Sequence, residues 1–299
     1  MEFLSVKEVA KLWKISERSV RNYCAQGKIK GAFLTGKTWN IPVGSTKPMR
    51  EKEIEVTDNE LLNTLRKEKQ AKLKGGIYHK TQINLTFNSN HIEGSKLSED
   101  QTRFIYETNT IGVEDKVVNV DDVIETANHF RCIDYIIDNA NEPLTEKMIK
   151  ELHFMLKVGT SDSRKDWFNV GEYKALPNEV GGMETTKPKE VSNEIKKLLT
   201  TYNSIAGKTF EQIVEFHKHF ESIHPFQDGN GRIGRLIMFK ECLANNIVPF
   251  IITDELKHFY YRGLKEWKNE KGYLIDTCLT AQDEYKRYLD YFDIKYFNN

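Results

Sequence analysis

Between Ile223 and Arg235 the chain reads IHPFQDGNGRIGR, which puts a histidine, a carboxylate, a Gly-Asn-Gly turn and two arginines within twelve residues. Gly229-Asn230-Gly231 permits positive φ angles and close approach of the backbone to a ligand. A glycine-rich turn feeding a helix N-terminus is an anion site, because unpaired N–H groups and the positive end of the helix dipole face outward. Arg232 and Arg235 lie three apart, on one side of that helix's first turns, and their guanidinium forks suit phosphate oxygens. Asp228 beside such a nest is a like-charged intruder unless a cation stands between it and the phosphates, which argues for magnesium. His224, neutral at physiological pH, can take a proton. The chemistry that fits is a magnesium nucleotide held by a turn and a helix start, with histidine activating a nucleophile.

Two helices must present this loop. From Thr209 onward Phe210, Ile213, Val214 and Phe220 form an apolar stripe, and Pro225 forces the backbone out of the helix at about His224. Beyond the turn Ile233, Leu236, Ile237, Met238, Phe239 and Leu243 predict a strongly apolar helix. His217 falls on the first stripe and reads as a hydrogen-bonded core residue. The pattern is helical over most of the body, with helices near 58–74, 98–108, 120–140, 144–157, 189–205, 209–223, 230–246, 253–269 and 273–294. The basic run Arg66 to Lys74 reads as a solvated face, and the aromatic run Tyr285 to Phe297 as packing of a terminal helix. Between 164 and 188 the period fails. Trp167, Phe168, Tyr173 and Val180 sit there among Gly171, Pro177, Gly181, Gly182 and Pro188, which predicts a loop carrying a short hairpin.

HPFQDGNGRIGR resembles the Fic motif at every fixed position, and the resemblance extends over most of 60–299. It implies an all-α, Fic-type helical domain with a short β-hairpin flap, and transfer of AMP from ATP to a hydroxyl of a target protein. Position by position it implies that His224 is the base, that Phe226 anchors the loop, and that Asp228 binds Mg2+. Gly229, Asn230 and Gly231 then hold the α- and β-phosphates, Arg232 the β-phosphate region and Arg235 the γ-phosphate. Upstream, SNHIEG (Ser89 to Gly94) is similar to the family's inhibitory motif. On a helix Ser89 and Glu93 face the same way, and the resemblance implies that Glu93 pairs with Arg235 and fills γ-phosphate space. An inhibitory helix is expected over about 83–94, although Ile83, Leu85 and Phe87 alternate in strand fashion. The excursion Tyr173 to Met183 corresponds to the flap, which receives a target segment in extended form. Removal of AMP by a Glu93-oriented water, donors carrying UMP or phosphocholine, and a homodimer are all compatible with the resemblance.

The first fifty residues differ from the rest in charge: ten Lys/Arg against three Asp/Glu, in a chain of 299 residues with 44 of each overall. Ser5 and Glu8 have capping-box spacing before the face Val6, Val9, Ala10, Trp13. Ser16 caps a second helix whose polar face carries Arg18, Ser19, Arg21 and Asn22. Gly27 stops it, and a hairpin turns at Thr35-Gly36-Lys37. This segment resembles the winged helix-turn-helix of excisionase-like and MerR-like domains. The resemblance implies DNA binding, with Arg18, Ser19, Arg21 and Asn22 toward bases and Lys28, Lys30 and Lys37 toward phosphates. A transcriptional regulator whose Fic body senses nucleotide is the corresponding alternative to an enzyme. The expected layout is a DNA-binding domain over 1–45, a polar linker over 46–57 and a Fic domain over 58–299. With 39% apolar and 29% charged residues the chain can pack cores. No apolar run is long enough for a bilayer, the start lacks a signal peptide's apolar core, and four scattered cysteines suit a cytoplasmic protein.

Overall fold

Ser5 opens the first helix as its spacing predicts: its hydroxyl accepts from the Glu8 amide, and the Glu8 carboxylate accepts from the Ser5 amide at 2.8 Å. The computed structural model describes residues 2–48, 59–112 and 117–296. In the first stretch β1 (Phe3–Ser5), α1 (Val6–Trp13), α2 (Glu17–Ala25), β2 (Phe33–Thr35) and β3 (Thr38–Pro42) enclose a small core of Val6, Val9, Val20, Cys24, Ile29 and Ile41. The hairpin β2–β3 forms where the turn residues predict it. A third strand, β1, joins it in the antiparallel order β1-β3-β2, and Phe3 packs edge-on against Phe33. The linker expected at 46–57 lies outside the described residues from position 49 onward.

The body is helical: α3 (Glu60–Ala71), α4 (Ile77–Ile92), α5 (Glu99–Thr108), α6 (Val120–Asp138), α7 (Glu146–Lys157), α8 (Pro188–Asn203), α9 (Phe210–Ile223), α10 (Asn230–Ala244), α11 (Lys257–Glu266) and α12 (Gly272–Tyr291). Between α7 and α8 the excursion carries a 3-10 turn at Asp162–Arg164 and the hairpin β4 (Glu179–Val180) and β5 (Met183–Glu184). At the centre lies α10, buried at every position from Asn230 to Leu243, with α4, α6, α7 and α9 against it. Leu65, Ile133, Phe220, Phe226 and Leu236 are among the fully buried side chains of this core. All four cysteines are free and buried. Among the described residues no helix is long and apolar enough to cross a membrane.

Two expectations need correction. The helix expected over about 83–94 is α4, which begins at Ile77 and ends at Ile92, with Glu93 as its C-cap. It is buried at Tyr78, Gln82, Ile83, Leu85, Thr86, Ser89 and Ile92 among others. Its buried face carries the polar residues Gln82, Thr86, Ser89 and Asn90, while Phe87 lies on the half-buried stripe with Lys80, Asn84 and Asn88, so apolar residues do not mark the 3.6-residue period and the alternation at Ile83, Leu85 and Phe87 is not that of a strand. The basic run on α3 is only partly solvated. Arg66 donates from Nε to the Ile137 carbonyl at 3.2 Å and from Nη2 to the Asp138 carbonyl at 3.0 Å, closing the C-terminus of α6.

Candidate active site

The loop is fixed before any ligand enters. His224 ends α9 in the left-handed region, φ 51°, with its N–H on the Phe220 carbonyl at 2.9 Å, and Pro225 prevents the helix from continuing. Phe226 is fully buried and stacks face to face on His153, ring centroids 3.9 Å apart. Asn230 closes the turn: its Oδ1 accepts from the Phe226 amide at 2.8 Å and its Nδ2 donates to the Phe226 carbonyl at 2.9 Å. Gly229, φ 82°, is the N-cap of α10 and offers no side chain. The first-turn N–H groups of α10 therefore have no helical acceptor. A carboxylate comes in beside Gly231. A Cβ added at Gly231 would lie 2.2 Å from Oε1 of Glu93, so only glycine lets that carboxylate sit on the helix start.

Arg235 holds the same carboxylate. Its Nη2 donates to Glu93 Oε1 at 2.7 Å and to the Ser89 carbonyl at 2.9 Å, and its Nε donates to Ser89 Oγ at 3.0 Å. Burial works against the Arg235 charge, but Glu93, Tyr260 and Glu221 together outweigh it and keep the guanidinium above its usual range. Arg232, expected beside Arg235, turns elsewhere. Its Nη2 donates to Asp228 at 3.0 Å, and its Nη1 pairs with Glu125 on α6.

Lys157, at the end of α7, completes this second group. Its ammonium touches Asp228 at 2.7 Å, Asp162 at 2.8 Å and Glu125, with 2% of the side chain exposed. Burial alone would raise the Asp228 carboxyl, but Arg232 and Lys157 hold it well below the usual carboxylate range. Ligand oxygens of Glu125, Asp162 and Asp228 lie within 4.8 Å of one another, a donor spacing a divalent ion could use. The Lys157 ammonium already stands in contact with all three, so as a closed cage the trio does not fit a metal. Asp228 alone does fit, being ionised and half exposed.

His224 sits beside these groups. Burial first, and then the neighbouring Lys174 ammonium, push its pKa down to about 4, so the ring is neutral over the physiological range. Lys174 roots the hairpin. Its Nζ donates to Asn178 Oδ1 at 2.7 Å and Thr185 Oγ1 at 2.6 Å, and its N–H donates to the Pro225 carbonyl at 2.9 Å. Asn178 Nδ2 reaches the Phe226 carbonyl at 3.1 Å, so the segment before β4 is tied to the turn. Glu221, one helical turn before His224, has its carboxyl raised to about 8 by burial and by the Glu93 charge. His217 is a core residue, with Nε2 2.6 Å from Tyr260 Oη.

The amino-terminal domain meets the body near α11. Arg18 lies over the ring of Phe259, 4.8 Å from its centroid, and the Ser16 N–H donates to Asp276 Oδ2 at 2.8 Å. Arg18 and Arg21 line a cleft of about 510 Å³ there. Ser19 is half-buried and its Oγ lies 3.2 Å from that of Ser16, and Asn22 is half-buried. Lys28, Lys30 and Lys37 are exposed.

Residues 143–242 match the Fic/DOC family model, and residues 3–44 match that of a helix-turn-helix domain. The chain carries a Fic/DOC domain. The protein named protein adenylyltransferase Fic in Aedes aegypti is 28% identical over 204 residues, covering 67% of this chain and 38% of that protein. Protein adenylyltransferase fic-1 of Caenorhabditis elegans is 25% identical over 182 residues, 58% of this chain and 34% of that one. The chain thus spans well under half the length of these curated relatives. A Fic domain containing signaling protein from Bacteroides thetaiotaomicron superposes with a TM-score of 0.58 at 25% identity, covering 78% of this chain and 91% of that one. Fic-1 of C. elegans gives 0.59 at 18% identity, with 79% and 72% covered, a likeness of fold.

The charged residues that surround the loop, Glu125, Lys157, Asp162, Lys174 and Glu221, were not singled out from the sequence. Glu125 and Lys157 did leave a signal. Each sits on a buried helix stripe, Glu125 with His129 and Cys132, Lys157 with Leu152 and His153, where an unpaired charge would be costly.

Proposed function

We propose that the chain is a protein adenylyltransferase that moves AMP from ATP to a hydroxyl of a target protein and is restrained by Glu93. The observation that carries this reading is the Glu93 carboxylate over Gly231 at the start of α10, bound to Arg235. It supports an anion site occupied by the chain's own carboxylate, and relatives named protein adenylyltransferase point to the same class. In this reading the γ-phosphate of ATP takes the place of Glu93 at Arg235. The main-chain N–H groups of Gly229 to Gly231 and the Arg232 side receive the α- and β-phosphates; Asn230 takes part through its backbone, since its side chain is committed to Phe226. His224 removes the proton of the target hydroxyl. The oxygen then bonds to the α-phosphorus, the bond to the β-phosphate breaks, and pyrophosphate leaves. Asp228 is the residue that would hold Mg2+, which supplies charge neutralisation to the phosphates. The edge of the β4–β5 hairpin suits an extended target segment.

The test is incubation with ATP labelled in its α-phosphate. Glu93→Gly should raise self-labelling and His224→Ala abolish it; equal labelling by wild type and His224→Ala overturns the reading. Release of AMP from a modified target that requires Glu93 would instead assign the reverse reaction to the same residues. The basic, helix-turn-helix amino-terminal domain supports DNA binding, read as a salt-sensitive mobility shift of the full chain.

A further inference from the structure

Lys157 is an expensive residue to bury, and no nucleotide-site motif in the sequence contains it. Its ammonium stands at the meeting point of Glu125 on α6, Asp162 in the 3-10 turn and Asp228 in the loop, within 2.8 Å of the latter two. Its stem runs beneath the turn, with Cδ 3.8 Å from where a Cβ at Gly229 would be. The carboxylate oxygens around it lie within 4.8 Å of one another, no more than about twice a calcium–oxygen distance of ~2.4 Å. The lysine therefore takes the position that a divalent cation would take among three acids. With Arg232 it balances two of their three charges.

We propose that Lys157 is a resident cation of the nucleotide site, a positioning residue that holds Asp228 and Arg232 and neutralises the loop enough for a nucleoside diphosphate moiety to enter without a metal ion. This rests on the nucleotide-binding reading above. With the ammonium present, a divalent ion reaches only the exposed side of Asp228. Without it, the turn faces phosphates with one more net negative charge, and the three acids are free to take a divalent ion.

The experiment measures ADP affinity by calorimetry in EDTA and in Mg2+, and Mn2+ binding by electron paramagnetic resonance without nucleotide, for wild type and Lys157→Met. Wild type should bind ADP in both media and take up no Mn2+ alone. Lys157→Met should lose at least about tenfold in ADP affinity in EDTA, recover most of it in Mg2+, and bind Mn2+ without nucleotide. A purely packing role for Lys157 would shift both ADP affinities together. A folded Lys157→Met that binds ADP in EDTA as tightly as wild type, or takes up no Mn2+, overturns the proposal. Should that variant not fold, Lys157→Gln removes the charge while keeping a polar side chain against the three acids. It should still lose affinity selectively in EDTA, and unchanged affinity counts against the proposal equally. If wild type binds ADP in neither medium, the nucleotide reading has failed, and the Mn2+ comparison still decides the role of Lys157.

Discussion

Replacing Glu93 with glycine removes one acceptor from Arg235 and the carboxylate above Gly231, and the effect on ATP affinity can be bounded. A hydrogen bond to a charged group contributes about 1.5–3 kcal/mol. The Arg235–Glu93 contact is short at 2.7 Å, but Glu93 keeps 28% of its side chain in solvent while Arg235 is buried, so the lower half of that range applies. ATP must displace this contact to reach Arg235, and each ~1.4 kcal/mol is a factor of ten in affinity. The expected gain on Glu93→Gly is therefore about ten- to fortyfold in ATP affinity. Arg235 also keeps its bonds to Ser89, so the guanidinium remains aimed at the turn. Calorimetric titration with a non-hydrolysable ATP analogue reads the difference directly. Glu93→Gly with Arg235→Ala should return the affinity to or below that of wild type, because the phosphate then has no guanidinium to meet. An unchanged dissociation constant in Glu93→Gly would refute the argument that this carboxylate and the γ-phosphate compete for one position.

Three further outcomes follow from the charges around the loop. With the His224 pKa lowered to about 4, single-turnover labelling should stay level between pH 5 and 8 and fall only below that window; an acid limb centred near the ordinary value of ~6.5 would count against His224 as the base. Glu221 titrates at about 8 in the folded chain against an ordinary 4.5, so between those values the folded state holds the extra proton. Its contribution to stability is complete below about 4.5 and is lost as pH rises through 8. The Tm of wild type relative to Glu221→Gln should therefore drop by roughly 5 °C between pH 5 and 9, and parallel pH curves would contradict it. Phe259→Ala removes a cation–π contact worth about 0.5–1 kcal/mol from Arg18. If α2 enters a DNA groove, full-chain affinity for DNA should rise about two- to fivefold at fixed salt, and a fall would speak against that use of Arg18.

The loop from His224 to Arg235 is legible in the sequence because its chemistry is local. Proline sets the exit from α9, glycine supplies the positive φ at 229, and Asn230 bonds back to Phe226 four residues away. Caps at Ser5, Ser16 and Thr209 are legible for the same reason. The helix α4 is harder to place, since polar residues such as Gln82, Thr86 and Ser89 on its buried face and Phe87 on its half-buried one blur the period, and it starts several residues before the expected 83. Least legible is the charge network. Arg232 and Glu125 pair across 107 positions, and Lys157 and Asp228 across 71. Neither distance leaves a trace in spacing. That gap alters the sequence-level case for magnesium. Asp228 beside an anion nest calls for a cation, and the fold provides two, Lys157 and Arg232, from within the chain. Protein side chains thus balance the charge of Asp228, and what suits it to a metal is its ionisation and its half-exposed side chain rather than unbalanced charge.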